Sequence, residues 1–143
     1  MQGKINLRFS RRDLVAGIVT SVIILAPFSY FAASTGKVFT VLPSGAMLYQ
    51  LAGVAFPEEV YFRGFLQEKL GNTIRGLLVV SFLFSLMHLP QFILYRDPYA
   101  LLTFFPSLVM GFLYLRTSNI LPSMIFHFLS NALFLGFYDI LKN

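Results

Sequence analysis

From Leu14 to Ala33 the chain runs for twenty residues without a charged side chain. A helix of about twenty apolar residues crosses the hydrocarbon core of a bilayer. That run sets the solvent in which the chain must fold. Composition agrees: 57% of the 143 residues are hydrophobic and 12% are charged, the latter about half the usual share. A water-soluble domain of this length has too little interior to bury so much apolar surface. Basic residues Lys4, Arg8, Arg11 and Arg12 precede the run. A secretion signal has a shorter apolar core followed by a small-residue cleavage site. Here the run is longer, and Ala32-Ala33-Ser34 is only a weak cleavage candidate, so the segment reads as a retained first helix.

Four more spans follow. Leu42 to about Lys69 carries Glu58, Glu59 and Arg63 in its second half; Gly76 to Tyr95 contains one ionisable group, His88. Pro98 to Leu115 contains none, and Ile120 to Tyr138 contains only His127. The connections are short, so consecutive helices are expected to lie antiparallel. The expected fold is all-α: a polytopic transmembrane helical bundle of about five spans, forming a single membrane domain over residues 1–143, with helix 1 at about 14–33. There are no cysteines and no tryptophans, which excludes disulfide and thiol chemistry. The net charge of +5 does not point to nucleic acid, because the basic residues sit at the ends of apolar runs rather than in one patch. Anionic lipid headgroups are the expected partner for them.

The same residues set an orientation. The amino end, the Lys69/Arg75 turn and the Arg116 turn fall on one side; the Lys37 loop, the Arg96-Asp97 turn and the carboxyl end fall on the other. Positive-inside bias makes the first side cytoplasmic. On this topology Glu58, His88 and His127 lie ten to thirteen residues from the same membrane face, which is about 15–20 Å at 1.5 Å per residue. Three helices thus place their deep ionisable groups near the midplane. Each such group costs several kcal/mol unless it faces a partner or a wet cavity. Interhelical hydrogen bonding explains any one of them; the set at one depth points to a functional site.

Spacing within each helix divides the roles. Glu59 and Arg63 are four residues apart and can pair on one face. Glu58 points about 100° away around the helix, free for a different partner. Adjacent carboxylates in different environments commonly split acid and base work. His127 and Asn131 are also four apart, and both can donate toward an oxyanion on an attacked carbonyl. Phe84 shares a face with His88 and could wall the cavity, although with 17 phenylalanines in the chain core packing is its default explanation. Pro57 and Pro90 each flank a candidate residue and are expected to bend their helices.

These residues resemble a known family. Glu58-Glu59-Val-Tyr-Phe-Arg63 matches an EExxxR motif, Phe84-Ser-Leu-Met-His88 an FxxxH motif, and His127-Phe-Leu-Ser-Asn131 an HxxxN motif. Three motifs in order on three separate spans are similar to the CPBP family, the CAAX-protease and bacteriocin-processing group also called Abi. The resemblance implies a four-helix catalytic core, here about residues 43–138. It also implies a glutamate-type intramembrane endopeptidase without metal or cofactor. By that resemblance Glu58 activates water with help from His88, Glu59 and Arg63 support the site, and His127 with Asn131 holds the oxyanion.

The chain has one helix before the core and little after it, which the resemblance associates with compact bacterial members. By that resemblance the expected substrates are sorting tags, leaders or bacteriocin-related peptides, with lipidation of the substrate left open. The expected partners are a peptide or protein substrate with a membrane-proximal cleavage site and membrane lipids, in a bacterial cytoplasmic membrane with the amino terminus cytoplasmic. Two other readings follow from the residues. A zinc peptidase would use His88, His127 and a glutamate, although HExxH is absent. A non-enzymatic immunity or scaffold protein would keep the bundle alone.

Overall fold

The structure is a computed structural model and describes residues 8–138. Lys4 and the carboxyl end, both used in the charge argument, lie outside the described residues. Helix α1 covers Arg11–Ser34; Ser10 caps it by accepting from the Asp13 N–H at 3.4 Å, and Asp13 in the first turn complements the helix dipole. Most of α1 exposes apolar side chains, as a lipid-facing helix must. Its buried residues are small: Gly17, Ser21 and Ala32. A Cβ on Gly17 would stand 3.0 Å from the Pro122 backbone, so α1 docks there by close backbone approach.

Helix α2 spans residues 44–67 in four consecutive segments: α-helical Ser44–Leu48, π-helical Tyr49–Ala55, α-helical Phe56–Glu59 and π-helical Val60–Gln67. The first π segment has a local cause. Pro57 has no N–H, and its ring crowds the carbonyl four residues back, at Gly53. Widening the turn relieves that clash, and the Phe56 N–H bonds to the Leu51 carbonyl instead. The expected bend at Pro57 is therefore taken up as a change of helical winding. The Gly76–Tyr95 span divides into α3 (Ile74–Met87) and α4 (Leu89–Tyr95), with His88 between them at φ −87, ψ 0. Pro90 cannot continue the α3 ladder, so the helix breaks just before it. Helix α5 (Pro98–Thr117) opens as a 3₁₀ turn through Thr103. Helix α6 covers Ile120–Tyr138.

Among the described residues there is no strand. Four helical stretches among the described residues are long and apolar enough to cross a membrane: Arg11–Ser34, Ile74–Tyr95, Pro98–Thr117 and Ile120–Phe137. The expected fifth span is α2, whose apolar character is interrupted where it carries Glu58, Glu59 and Arg63. The chain is thus a helical membrane bundle. α1 packs on α6, α3 on α5, and α5 on α6, while α2 touches α3, α5 and α6. Phe62, Val80, Phe84, Met110, Leu113 and Phe126 form the apolar core where these four helices meet.

Contacts at the two ends show the topology. Asn119 donates to the Arg8 carbonyl and to Asp13, both at 2.8 Å, and Asn72 donates to Ser118 at 3.4 Å. These bonds gather Arg8, Arg11, Arg12, Lys69, Arg75 and Arg116 at one end. The opposite end is tied by the Thr40 N–H to the Gly136 carbonyl at 3.0 Å. Lys37 and Arg96 follow the far ends of α1 and α4.

Candidate active site

The inner face of α2 presents a ladder at every fourth residue: Glu59, Arg63 and Gln67, all fully buried. Arg63 donates from Nη1 to Glu59 Oε1 at 2.9 Å. Its Nη2 reaches across to α5 and donates to the Ser107 carbonyl at 3.1 Å and the Ser107 hydroxyl at 2.7 Å. The guanidinium also lies 4.9 Å from the centre of the Phe84 ring, a cation–π contact strengthened by its dry surroundings. Burying one charge without its partner would be expensive; the pair with two further bonds is tolerable.

His127 comes from α6 to the same carboxylate. Its Nδ1 lies 3.0 Å from Glu59 Oε1. A carboxylate only accepts, so the Nδ1 proton points at Glu59 and fixes the ring. The opposite nitrogen, Nε2, then faces Glu58 Oε2 at 3.8 Å, too long for a direct hydrogen bond. Glu58 differs sharply from its neighbour. Its side chain keeps 25% of its exposure against none for Glu59. The Oε2 of each glutamate has no hydrogen-bond partner among the described residues, since Arg63 and His127 both contact Oε1 of Glu59.

His88 sits at the helix break, half-buried. Its Nδ1 lies 2.9 Å from the Phe84 carbonyl. The carbonyl can only accept, so in the neutral ring Nε2 carries the lone pair. The Phe84 ring separates the histidines, 4.9 Å from His88 and 5.7 Å from His127 between centroids. The break imposed by Pro90 is what turns His88 out of the regular α3 path. Asn131, one turn beyond His127, donates to Gln50 Oε1 of α2 at 3.1 Å.

The six expected residues therefore fall into a cluster of four (Glu58, Glu59, Arg63, His127), with His88 beside Phe84 and Asn131 paired to Gln50. Two details differ from the sequence reading. The histidine in closest contact with Glu58 is His127 rather than His88. His127 and Asn131 each have a different partner on α2, Glu59 and Gln50. Sequence reasoning also passed over Ser107, Gln50 and Gln67. Gln67 was within reach, because the step from Glu59 to Arg63 repeats once more. Ser107 and Gln50 carry no local signal, since their roles depend on which helix faces them. Among the described residues, no group of three or more histidine or acidic side chains stands together as a metal site.

No curated protein and no solved structure matches the chain. A family model does: residues 40–133 match that of the Rce1-like type II CAAX prenyl endopeptidases. The matched segment spans α2 to Asn131 and contains every residue of the cluster, as well as His88 and Gln50. The chain belongs to this family, the CPBP group of CAAX-type membrane proteases.

Proposed function

We propose that the protein is an intramembrane endopeptidase that cleaves a membrane-associated peptide or protein tail by direct attack of water, without a metal. One observation carries the reading: two adjacent glutamates are held in opposite conditions. Glu59 is sealed between Arg63 and His127, so it is unsuited to exchanging protons. Glu58 keeps 25% of its side-chain exposure and turns its Oε2 toward the imidazole of His127 at 3.8 Å.

In the proposed reaction Glu58 takes the proton of a water as its oxygen attacks the scissile carbonyl. General-base catalysis of this kind contributes about 10²–10⁴-fold. His127 is oriented by Glu59 as a histidine is oriented by a carboxylate in other hydrolases. With His127 protonated, Glu58, Glu59, Arg63 and His127 sum to zero net charge, a tolerable state in a dry site. Nε2–H then donates to the developing oxyanion. The second N–H of Asn131, whose amide is steadied by Gln50, is the other donor. His88, with its Nε2 lone pair directed away from the Phe84 carbonyl, orients the water. The proton held by Glu58 passes to the leaving amine when the tetrahedral intermediate collapses. The basic end, carrying Arg8, Arg11, Arg12, Lys69, Arg75 and Arg116, is assigned to the cytoplasm.

The test uses purified protein in liposomes, treated with chelator, and a panel of tail peptides with and without a prenyl group. Wild type is expected to cleave a member of the panel in chelator. Glu58→Gln should remain folded while losing at least about 100-fold in kcat. Cleavage that needs stoichiometric zinc contradicts the mechanism. Retention of full biological function by Glu58→Gln favours a scaffold role.

A further inference from the structure

The α2 ladder continues past the active site toward the basic end. Gln67 donates to Asn72 at 2.9 Å and to the Gly111 carbonyl at 3.0 Å. Asn72 in turn donates to Ser118 at the exposed end of the bundle. Glu59, Arg63, Gln67, Asn72 and Ser118 thus form one polar line from the site to the surface. It lies in the seam where α2 meets α3 and α5.

This seam concentrates unpaired polar atoms. Arg63 Nε, Gln67 Oε1 and the Ser81 hydroxyl are fully buried and have no hydrogen-bond partner among the described residues. Ser81 faces the seam by register. On α3 it stands one turn from Leu77, which, like Gln67 Oε1, lies against Gly111, and one turn from Phe84, which abuts Arg63. Buried polar groups are almost always satisfied, by protein or by ordered water. Leaving one unpaired costs about 1–3 kcal/mol. Three such atoms in one seam, on three different side chains, are sites for water molecules that each make about three bonds. In a dry seam the Ser81 hydroxyl would be better replaced by a hydrogen, as in alanine.

We infer that the seam between α2, α3 and α5 holds a file of ordered waters that connects the active site with the basic membrane face. The inference rests on the hydrolase reading for its purpose, which is to bring water to a midplane site across a layer that otherwise excludes it. Its physical content, hydration of a buried seam, stands apart from that purpose. The test therefore does not read activity.

Hydroxyl-radical labelling by a synchrotron pulse modifies side chains that touch ordered water, including buried ones. Leu77 and Leu113 make a matched pair, the same residue at 5% and 6% exposure; the first lies with Gln67 Oε1 against Gly111 and the second lies in the apolar core. In liposome-embedded protein Leu77 should label at least about tenfold faster than Leu113. After rapid mixing into H₂¹⁸O the label at Leu77 should carry ¹⁸O within milliseconds, because the file opens to bulk. Gln67→Leu should bring Leu77 down to the rate of Leu113; Gln67→Met serves if the first variant does not fold. Glu58→Gln, inactive on the proposed mechanism, should label as wild type does. Equal rates at Leu77 and Leu113 in wild type overturn the inference, as does fast labelling that survives both Gln67 variants. An isotope exchange slower than seconds would show trapped water and overturn the connection to the face.

Discussion

Replacing Arg63 by methionine removes a buried guanidinium but keeps much of its length. Nη1 stands 2.9 Å from Glu59 Oε1. At an effective dielectric near 20, charges this close attract by about 6 kcal/mol. The cost of drying both groups cancels much of that attraction, but truncating one partner leaves the other charge stranded. Stranding typically costs about 3–5 kcal/mol. Arg63 also holds Ser107 through two bonds and covers Phe84, while His127 continues to support Glu59. Arg63→Met is therefore expected to destabilise by about 4 kcal/mol. Glu59→Gln alone should also destabilise, by stranding Arg63. The double variant strands neither charge, so its loss should fall short of the summed single losses by at least about 2 kcal/mol. Unfolding of all four proteins in mixed micelles, titrated with a denaturing detergent, gives the cycle. Additivity within about 0.5 kcal/mol would refute the view that the pair acts as one unit.

Other expectations follow from single contacts. Gly111→Val would place a Cβ 2.8 Å from Leu77 Cγ; thermal unfolding should show a loss of about 1–3 kcal/mol, with α5 pushed off α3. Pro90→Ala restores a backbone N–H and allows α3 to run on through His88. It should leave the melting temperature unchanged or higher while lowering kcat about 10- to 100-fold, as expected when a catalytic group is misplaced by about 1 Å. Gln50→Leu frees the Asn131 amide. In the steady-state kinetics of that variant, kcat should fall by about tenfold or less, as for a positioning residue, and combining it with Asn131→Ala should cost little more than Asn131→Ala alone.

Much of this was legible in the sequence because membranes impose simple rules. Charge-free runs marked the spans, and short basic turns fixed which helix ends share a face. The pair of Glu59 with Arg63 followed from one helical turn, and Pro90 announced the break at His88. Contacts between helices were not legible in the same way. Four-residue spacing shows that His127 and Asn131 share a face, but not what stands opposite each. The structure puts Glu59 opposite His127 and Gln50 opposite Asn131. Ser107 is one of many small residues on apolar helices, and only the reach of Arg63 across the bundle gives it a role. The π-helical winding on either side of Glu58 has a readable trigger in Pro57, but its extent depends on packing.

The central claim is that adjacent glutamates have separate duties, Glu58 chemical and Glu59 architectural. Measuring kcat and melting temperature for Glu58→Gln and Glu59→Gln in the same liposome assay tests it most directly. Glu58→Gln should lose at least about 100-fold in kcat with a melting temperature within a few degrees of wild type. Glu59→Gln should melt well below wild type, since it strands Arg63 and releases His127. The reverse pattern, or equal loss of stability in both, would contradict the account.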